Sequence, residues 1–436
     1  MTNLVKLARL SNRATRICRV EDSKQNVMDA TYYHWEALTI KKIIDNLYSM
    51  PISVQKYLPM KIDKINPDLN KEILSSFTGE RDGYVHVGPK KYFLTSNYLK
   101  QADGYYNMEV RPDDIWVCTF PRCGTTWMQE LVWLINNDLD YDKALEIPLI
   151  QRFTFLELSL LKHEEFQREI LELNNYDPKC VEALSKICEP GYSICARKKS
   201  PRHIKTHLPF SLLPPKLLQT SKAIYVTRNP KDVAVSYYYH NRLFRTIGFQ
   251  SDFSKFWDLF QRDSGLYQAV SEPMFENVKR NFLLWAPFWS HVEEAWNLRT
   301  HPNMLFLFYE DMKKDLPSVI RKVAEFCNKI LSEEQISKLS DHLKIEKLRN
   351  NPSMKIFPDE IKGLTNDEEQ GFIRKGKAWK ETSRTKRYFF KKTHSWGKLD
   401  LGEKNSPRKL MLKRMHGSRK MRAKLESNSS TKPFAA

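Results

Sequence analysis

A nine-residue stretch, TFPRCGTTW at 119–127, combines a glycine, two threonines and an arginine. Between a strand and a helix, the unpaired backbone N–H groups and the helix dipole favour an anion. Gly124 lets the backbone approach a ligand closely, while Thr125 and Thr126 can cap the helix and donate hydroxyls to phosphate oxygens. Arg122 adds a planar cation that holds a phosphate or sulfate at two oxygens. The stretch predicts a phosphate-binding loop, although a capped helix after a strand is also an ordinary feature of α/β proteins.

The segment PRHIKTHLP at 201–209 offers a general base. If it is a strand that runs into a loop, then His203, Lys205 and His207 share one face, and His207 stands last before a proline. An imidazole at that place can take a proton from a hydroxyl near neutral pH. A single histidine is often structural instead, but the neighbouring lysine and the strand end favour a catalytic role for His207.

Two later segments offer cations for a second phosphate. In YVTRNPKDVAVS at 225–236, Arg228 stands at a strand end and Ser236 lies two turns into the following helix. We expect these two side chains to grip one phosphate together. The FIRKG segment at 372–376 sets two adjacent cations beside a glycine. Both segments also have ordinary explanations, namely a turn with a solvated arginine and a pair of solvated surface charges.

Bringing these residues together requires elements that end at one edge. Apolar runs rich in strand formers alternate with segments of helical spacing. The pairs are 115–120 with 127–135, 223–226 with 233 onward, and 304–309 with 316–326. This alternation predicts an α/β fold with a central parallel sheet, helices on both faces and a P-loop-like phosphate-binding loop. Because ligands of such sheets bind outside the carboxyl ends of the strands, the three loops are expected at one edge.

The 436 residues suffice for one large domain, which we predict at 61–380, between an N-terminal extension, 1–60, and a basic tail, 381–436. The net charge of +19 belongs to the two ends. Residues 377–436 carry 18 Lys and Arg against 4 Asp and Glu, and residues 1–20 carry five cations and no acid. Both ends are expected to be poorly ordered. The acid-free, arginine-rich start also resembles a mitochondrial transit peptide.

The composition favours an aqueous, reducing compartment. No run approaches the roughly 18 to 20 apolar residues of a membrane helix, and the start lacks the apolar core of a secretory signal. The seven cysteines are odd in number and form no C-x-x-C pair, which argues against a disulfide framework or a zinc site. We therefore expect a cytoplasmic protein with no membrane partner and no bound metal.

Taken together and in this order, the segments resemble those of the cytosolic sulfotransferases. That family is marked by T-Y-P-K-S-G-T-T-W, K-T-H-L-P, Y-V-x-R-N-x-K-D-V-x-V-S-Y-Y and a late F-x-R-K-G. The matching segments here are TFPRCGTTW at 119–127, KTHLP at 205–209, YVTRNPKDVAVSYY at 225–238, LFYEDM at 307–312 and FIRKG at 372–376. The resemblance runs from about residue 67 to residue 380.

The resemblance implies transfer of a sulfuryl group from PAPS (3′-phosphoadenosine 5′-phosphosulfate) to the hydroxyl of a small molecule, which leaves PAP and needs no metal. It implies that His207 is the catalytic base and that Arg122 and Lys205 stabilise charge on the departing oxygen. Phe155 is implied as the aromatic wall of the acceptor pocket. The residues implied to hold the nucleotide are Arg122, Cys123, Gly124, Thr125, Thr126, Trp127, Arg228, Ser236, Tyr309, Arg374, Lys375 and Gly376.

The sequence departs from the family in the loop and at the end. Arg122 replaces the usual lysine, and Cys123 replaces the usual serine. A thiol at a helix N-terminus is expected to be reactive. After Gly376 the family's G-D-W-K segment and its K-x-x-x-T-V-x-x-x-E dimer motif are absent. The lid over the nucleotide, the final packing helix and the oligomeric state are therefore left open.

Three other functions compete with this interpretation. The first is a homologue that binds the nucleotide without turnover because its C-terminal lid is altered. The second is a nucleic-acid-binding protein that uses its basic ends, although the central residues are neutral by count and contain no specific nucleic-acid module. The third and weakest is a kinase, since the G-x-x-x-x-G-K-[ST] pattern of a Walker A loop is missing.

Overall fold

The computed structural model describes residues 59–261, 282–369 and 371–373. The strands are β1 (Ile62–Lys64), β2 (Tyr84–Val87), β3 (Tyr92–Thr95), β4 (Ile115–Cys118), β5 (Thr154–Phe155), β6 (His203–Thr206), β7 (Lys222–Thr227) and β8 (Met304–Phe308). The predicted basic tail and nearly all of the predicted N-terminal extension lie outside these residues, so the predicted domain boundaries stay predictions.

The helices alternate with these strands. In chain order they are α1 (Pro67–Ser76), α2 (Tyr98–Asn107), α3 (Thr125–Asn136), α4 (Tyr141–Glu146), α5 (Leu149–Arg152), α6 (Glu164–Leu173), α7 (Pro178–Cys188), α8 (Gly191–Arg197), α9 (Leu217–Thr220), α10 (Pro230–Leu243), α11 (Phe253–Gln261), α12 (Phe288–Asn297), α13 (Tyr309–Lys314), α14 (Leu316–Phe326), α15 (Glu333–His342) and α16 (Ile345–Asn350). Short 3₁₀ helices lie at Leu158–Leu161, Phe210–Leu212 and Pro352–Met354.

Five of the described strands form one parallel sheet in the order β5-β6-β4-β7-β8. The central strand β4 pairs on one side with β6 and on the other with β7, so that Ile115 lies opposite both His203 and Lys222. Because every strand runs the same way, all five carboxyl ends meet at one edge. The loops after β4, β7 and β8 are therefore neighbours, as the sequence predicts, and the loop after β6 lies at the same edge.

Helices cover both faces of this sheet, which confirms the predicted fold class. Along β4, Trp116 and Cys118 pack into one apolar cluster, whereas Val117 packs into another. The first cluster takes Tyr237 from α10, and the second takes Met128 from α3. This alternation follows from the two-residue period of a strand, and a strand buried on both faces explains the continuous apolar run.

A buried ion pair joins the amino ends of the two strands that carry the candidate site. Arg202 donates through Nε and Nη2 to the two carboxylate oxygens of Asp114, at 2.7 and 2.5 Å. The Arg202 side chain is 1% exposed and that of Asp114 is fully buried. Arg202 also donates to the carbonyls of Cys195 and Glu109. The pairing fixes β6 against β4 at the end opposite the predicted site.

A small antiparallel sheet, β1-β2-β3, packs beside the main one. Its strand β3 is bonded through Phe93 to the segment before α12, since Phe93 N donates to Ala286 O (2.8 Å) and Trp285 N donates to Phe93 O (2.9 Å). These bonds fix the backbone of Trp285. The indole of Trp285 contacts the candidate base described below.

Candidate active site

The predicted phosphate loop turns sharply between β4 and α3. Gly124 is the N-cap of α3 and has φ 104°, while Arg122 has φ 68°. A Cβ on residue 124 would lie 2.7 Å from the ring of Tyr309. The start of α3 has no side-chain cap, because its N-cap residue is a glycine. The Thr125 hydroxyl is hydrogen-bonded to the Thr119 hydroxyl at 2.7 Å. Threonine does not cap the helix, contrary to our expectation. The first N–H groups of α3 are thus left for an anion.

Arg122 is held across the loop by the helix that carries Ser236. Its Nε donates to Ser236 Oγ (3.0 Å), and its Nη2 donates to the carbonyl of Phe372 (2.9 Å). The guanidinium also stacks over the Phe372 ring, at 4.6 Å from the ring centroid. Two residues predicted to touch different phosphates are therefore in direct contact with each other.

Arg228 lies on the other side of the loop, at the end of β7. Its Nη1 donates to the carbonyl of Arg122 (3.1 Å), and its guanidinium lies 4.3 Å from the ring centroid of Tyr309. Tyr309 in turn packs edge-on against Trp127, at 5.6 Å between ring centroids. The structure thus brings together the loop and the predicted residues after β7 and β8.

Two buried donors beside this loop lack a hydrogen-bond partner among the described residues. They are Arg228 Nε and Trp127 Nε1. Both side chains line one large cavity, which is described below. A buried donor left without an acceptor is unfavourable by roughly 1–3 kcal/mol, more when it is charged. An anionic ligand in the loop would supply such acceptors, so the donors present fit a phosphorylated nucleotide.

Cys123 differs from its predicted role. Its side chain is fully buried, and its sulfur lies 3.9 Å from the carbonyl of Pro121. Burial raises the pKa of the Cys123 thiol above its ordinary value, against the opposing charge of Arg228. The expected reactivity is therefore wrong, because the thiol packs into the core instead of facing the ligand. Any contact of residue 123 with the nucleotide would be through its backbone.

His207 follows β6 directly and lines the cavity. Its Nδ1 lies 2.9 Å from the carbonyl of Thr119 and 3.2 Å from the hydroxyl of the same residue. A carbonyl only accepts, so Nδ1 carries the proton, and Nε2 then holds the free lone pair. Burial, and next the charge of Lys205, lower the pKa of His207 well below its usual value. The ring is therefore neutral near pH 7 and has a basic nitrogen.

The backbone of His207 is fixed by two residues that the sequence analysis missed. Its N–H donates to Glu157 Oε1 (2.5 Å), and its carbonyl lies 2.9 Å from His291 Nε2. His291 Nδ1 is in turn bonded to the hydroxyl of Tyr225 at 2.7 Å. The Glu157 carboxylate also accepts from Thr206 at 2.8 Å. Glu157 stands two residues after Phe155, but neither its spacing nor that of His291 gives a signal for this role.

Lys205 and the aromatic rings complete the surroundings of His207. The Lys205 ammonium lies 3.9 Å from the ring centroid of Phe155. Burial lowers the pKa of Lys205 to about 8, opposed by the charge of Glu157. The His207 ring packs edge-on between Phe155 (5.3 Å) and Trp285 (5.4 Å). The structure therefore places Phe155 beside His207, where an aromatic wall was expected.

One cavity of about 770 Å³ connects the phosphate loop with His207. A cavity of this size is typical of small-molecule sites. Its apolar lining includes Phe155, Leu158, Leu161, Phe244, Trp285, Ile356 and Phe357, and its polar lining includes Lys162, Lys205, His240 and Thr246. Arg374, Lys375 and Gly376, the last residues predicted to bind the nucleotide, lie outside the described residues.

Within the described ranges, no group of three or more His, Cys, Asp or Glu side chains is arranged to hold a metal.

Known proteins resemble this chain in sequence and in fold. Residues 112–393 match the Sulfotransferase domain family. The luciferin sulfotransferase of Photinus pyralis is 38% identical over 294 residues, which are 66% of this chain and 70% of that protein. Sulfotransferase 1A1 of Mus musculus is 34% identical over 295 residues, 66% of this chain and 85% of that protein.

A solved structure agrees with these sequence matches. The crystal structure of retinol dehydratase in complex with retinol and PAP has a TM-score of 0.65 and 37% identity, and the match covers 79% of this chain and 98% of that one. None of the helices in the described ranges has the length and apolar character that a membrane crossing requires. Since the family match spans well over half of the sequence and includes the phosphate loop and His207, the chain belongs to the sulfotransferase family and is a sulfotransferase enzyme.

Proposed function

We propose that this enzyme transfers the sulfuryl group of PAPS to the hydroxyl of an apolar small molecule, with His207 as general base. The observation that carries the proposal is the hydrogen bond between His207 Nδ1 and the Thr119 carbonyl. That bond leaves the lone pair on Nε2, in a cavity that also contains the phosphate loop. A base and an anion site in one cavity are what transfer from a phosphorylated donor to a hydroxyl requires.

The nucleotide would be held by the phosphate loop and by the residues after β7 and β8. The open start of α3, the Arg228 guanidinium and the Trp127 indole N–H offer donors to its phosphates, and the Tyr309 ring lies beside them. The retinol dehydratase structure, which contains PAP, supports a nucleotide of this kind. Arg374 to Gly376 are proposed to complete the site, as the resemblance implies.

Bound PAPS supplies an electrophilic sulfur and a phosphate leaving group. His207 Nε2 takes the proton of the acceptor hydroxyl as its oxygen attacks. As the bond between the acceptor oxygen and sulfur forms, the bond between sulfur and the bridging phosphate oxygen breaks, so that the products are the sulfate ester and PAP. The negative charge that develops on the bridging oxygen would be stabilised by the cations of Lys205 and Arg122. The apolar wall around His207 excludes water and so strengthens these charge interactions.

The acceptor is proposed to be an apolar hydroxyl compound, because aromatic and aliphatic side chains make up much of the cavity lining and two of them, Phe155 and Trp285, flank the His207 ring. Retinol and androsterone, which are bound in two solved structures of retinol dehydratase, have this character. None of the six cysteines in the described ranges is in a disulfide, which supports the proposal that the enzyme acts in a reducing compartment such as the cytoplasm.

Two measurements test the function. The melting temperature is first measured with and without PAP, since a ligand that binds only the native state stabilises it by about 2.7 kcal/mol at a hundredfold excess over its Kd. Transfer of labelled sulfate from PAPS to a panel of phenols, sterols and apolar alcohols is then measured. A PAP shift without transfer to any acceptor would favour the homologue that binds without turnover, and the absence of a shift at millimolar PAP would overturn the nucleotide site.

A further inference from the structure

A lysine that the sequence analysis did not single out lines the cavity that contains His207. Lys162 follows the 3₁₀ helix Leu158–Leu161, and its side chain lines the same cavity as His207. Only 3% of the surface of Lys162 is exposed to solvent. Among the described residues, its Nζ has no hydrogen-bond partner. A lysine buried to this degree is normally paired.

The main chain on both sides of Lys162 is fixed. Its N–H donates to the carbonyl of Ser159 (3.1 Å), and its own carbonyl accepts from Gln167 Nε2 (2.8 Å). The next residue, His163, accepts from the backbone N–H of Phe166 and is bonded through Nε2 to the carbonyl of Gly79. These bonds fix the backbone of Lys162 at the cavity, so the attachment point of the side chain is part of the fold.

The surroundings of the Lys162 ammonium are apolar. It lies 5.1 Å from the ring centroid of Phe357, and Leu158 and Leu161 line the same cavity. Burial lowers the pKa of Lys162 to about 8, so the amine still carries a proton at neutral pH. A cation–π contact offsets only part of the unfavourable free energy of burying a charge. A methionine would fill the same space without that penalty.

We propose that Lys162 binds a carboxylate at the end of the acceptor remote from its reacting hydroxyl, so that the preferred substrates are hydroxylated apolar carboxylic acids. This inference rests on the proposed function, since it assigns the hydroxyl to His207. The phosphates of the nucleotide are assigned to the phosphate loop, Arg228 and Trp127, which leaves the acceptor as the source of the anion. A charge-assisted hydrogen bond from a buried ammonium is stronger than one between neutral groups.

The test compares acids with their own esters. Hydroxyaryl alkanoic acids of increasing chain length, each with its methyl ester, are assayed as acceptors with saturating PAPS. We expect the wild-type enzyme to prefer the acid at the chain length that spans the cavity. In Lys162→Met, kcat/KM for that acid should fall roughly tenfold to hundredfold, the effect of one hydrogen bond to a charged group, while the ester is unaffected. The control Lys179→Met, at an exposed position of α7, should behave as the wild type.

The outcomes separate the inference from the function on which it rests. If the wild type sulfonates acids and esters equally at every chain length, or if Lys162→Met leaves the ratio of acid to ester unchanged, Lys162 does not recognise a carboxylate. If the wild type sulfonates neither these compounds nor any acceptor of the panel described above, the proposed function fails. In that case calorimetry of the PAP-loaded protein still decides the inference, since the acid must bind more tightly than the ester and lose that advantage in Lys162→Met. The melting temperature of Lys162→Met, with and without PAP, shows whether the variant is folded. If it is not folded, the ratio of acid to ester measured for the wild type still decides the inference.

Discussion

At the scale of single residues, the site depends on which nitrogen of His207 is free. Asparagine at this position keeps an amide N–H where Nδ1 donates to Thr119, but it has no basic nitrogen. We therefore expect His207→Asn to lower kcat by at least about a hundredfold, the usual contribution of a general base, and to retain the PAP-induced rise in melting temperature. Both quantities are measured on the same preparation.

The control for this variant lies at the start of β6, the strand that His207 follows. His203 packs against Phe153 and is not among the residues that line the cavity. His203→Asn should therefore keep the wild-type kcat even if the protein is less stable. If His203→Asn and His207→Asn lose kcat equally, or if His207→Asn retains full activity, the assignment of the base is wrong.

The pH dependence follows from the two groups that burial shifts. Because the pKa of His207 is lowered well below 6.5, its Nε2 stays unprotonated as the pH falls through that value. Lys205 has its pKa lowered to about 8, so its ammonium is lost as the pH rises through 8. At low PAPS, where kcat/KM reports the free enzyme, we expect a plateau that extends below pH 6.5 and a decline above about pH 8.

A conservative variant identifies the group behind the alkaline decline. In Lys205→Arg the guanidinium remains charged, so the decline near pH 8 should disappear even if the maximal rate is lower. If the activity of the wild type instead declined on the acidic side with a midpoint near pH 6.5, His207 would be more exposed to solvent than it is in the structure. An alkaline limb that persists in Lys205→Arg would assign the decline to another group.

At the scale of elements, the turn from β4 into α3 is specific for glycine. Gly124 has φ 104°, and an added Cβ would meet the ring of Tyr309 at 2.7 Å. We expect Gly124→Ala to displace that ring and to abolish the PAP-induced rise in melting temperature, with kcat/KM for PAPS lowered in proportion. The control is Gly88→Ala, which has a similar positive φ of 68° with nothing within 4 Å of the added Cβ.

The control separates backbone strain from the clash. A left-handed conformation of a residue other than glycine is unfavourable by about 1–2 kcal/mol, and this penalty should lower the melting temperature of both variants. Only Gly124→Ala should lose the response to PAP. If both variants respond to PAP as the wild type does, the loop does not form the nucleotide site in the way proposed.

The elements themselves could be predicted because their signals are local. The apolar run at Ile115–Cys118 and the helix at Leu316–Phe326 have the expected positions. Helix α10 begins at Pro230, earlier than predicted, because Asn229 caps it and proline fits the first turn. Tyr309 was predicted as the end of a strand but begins α13, and so lies over the loop.

The supporting residues could not be predicted, because their partners are distant in sequence. His291 is separated from His207 by 84 residues and Trp285 by nearly as many. The burial of Cys123 depends on the core packed around it, whereas its sequence context indicates only a helix start. Lys162 has no periodic pattern or motif, and only the three-dimensional structure shows that its ammonium lacks a partner among the described residues.

At the scale of the whole molecule, charge and catalysis are located in different parts of the chain. The site is built from residues of the central, balanced sequence, since residues 21–376 contain as many acids as Lys and Arg. The surplus lies at the two ends. The excess of cations that would favour nucleic-acid binding therefore lies at the ends, whereas the proposed sulfotransferase site lies at the sheet edge, and the two can be tested independently.

Neutralising the last part of the chain tests this separation without shortening it. Residues 394–436 follow the matched family region and carry 11 Lys and Arg against 3 Asp and Glu. With these cations replaced by Gln, we expect the protein to leave heparin at markedly lower salt, since the salt dependence of polyanion binding scales with the number of contacting cations. The PAP-induced rise in melting temperature should be unchanged. Heparin affinity that survives the change would assign polyanion binding to the remaining residues, among them the five cations of residues 1–20 and the seven Lys and Arg of residues 377–393. A lost response to PAP would mean that the replaced cations contribute to the nucleotide site.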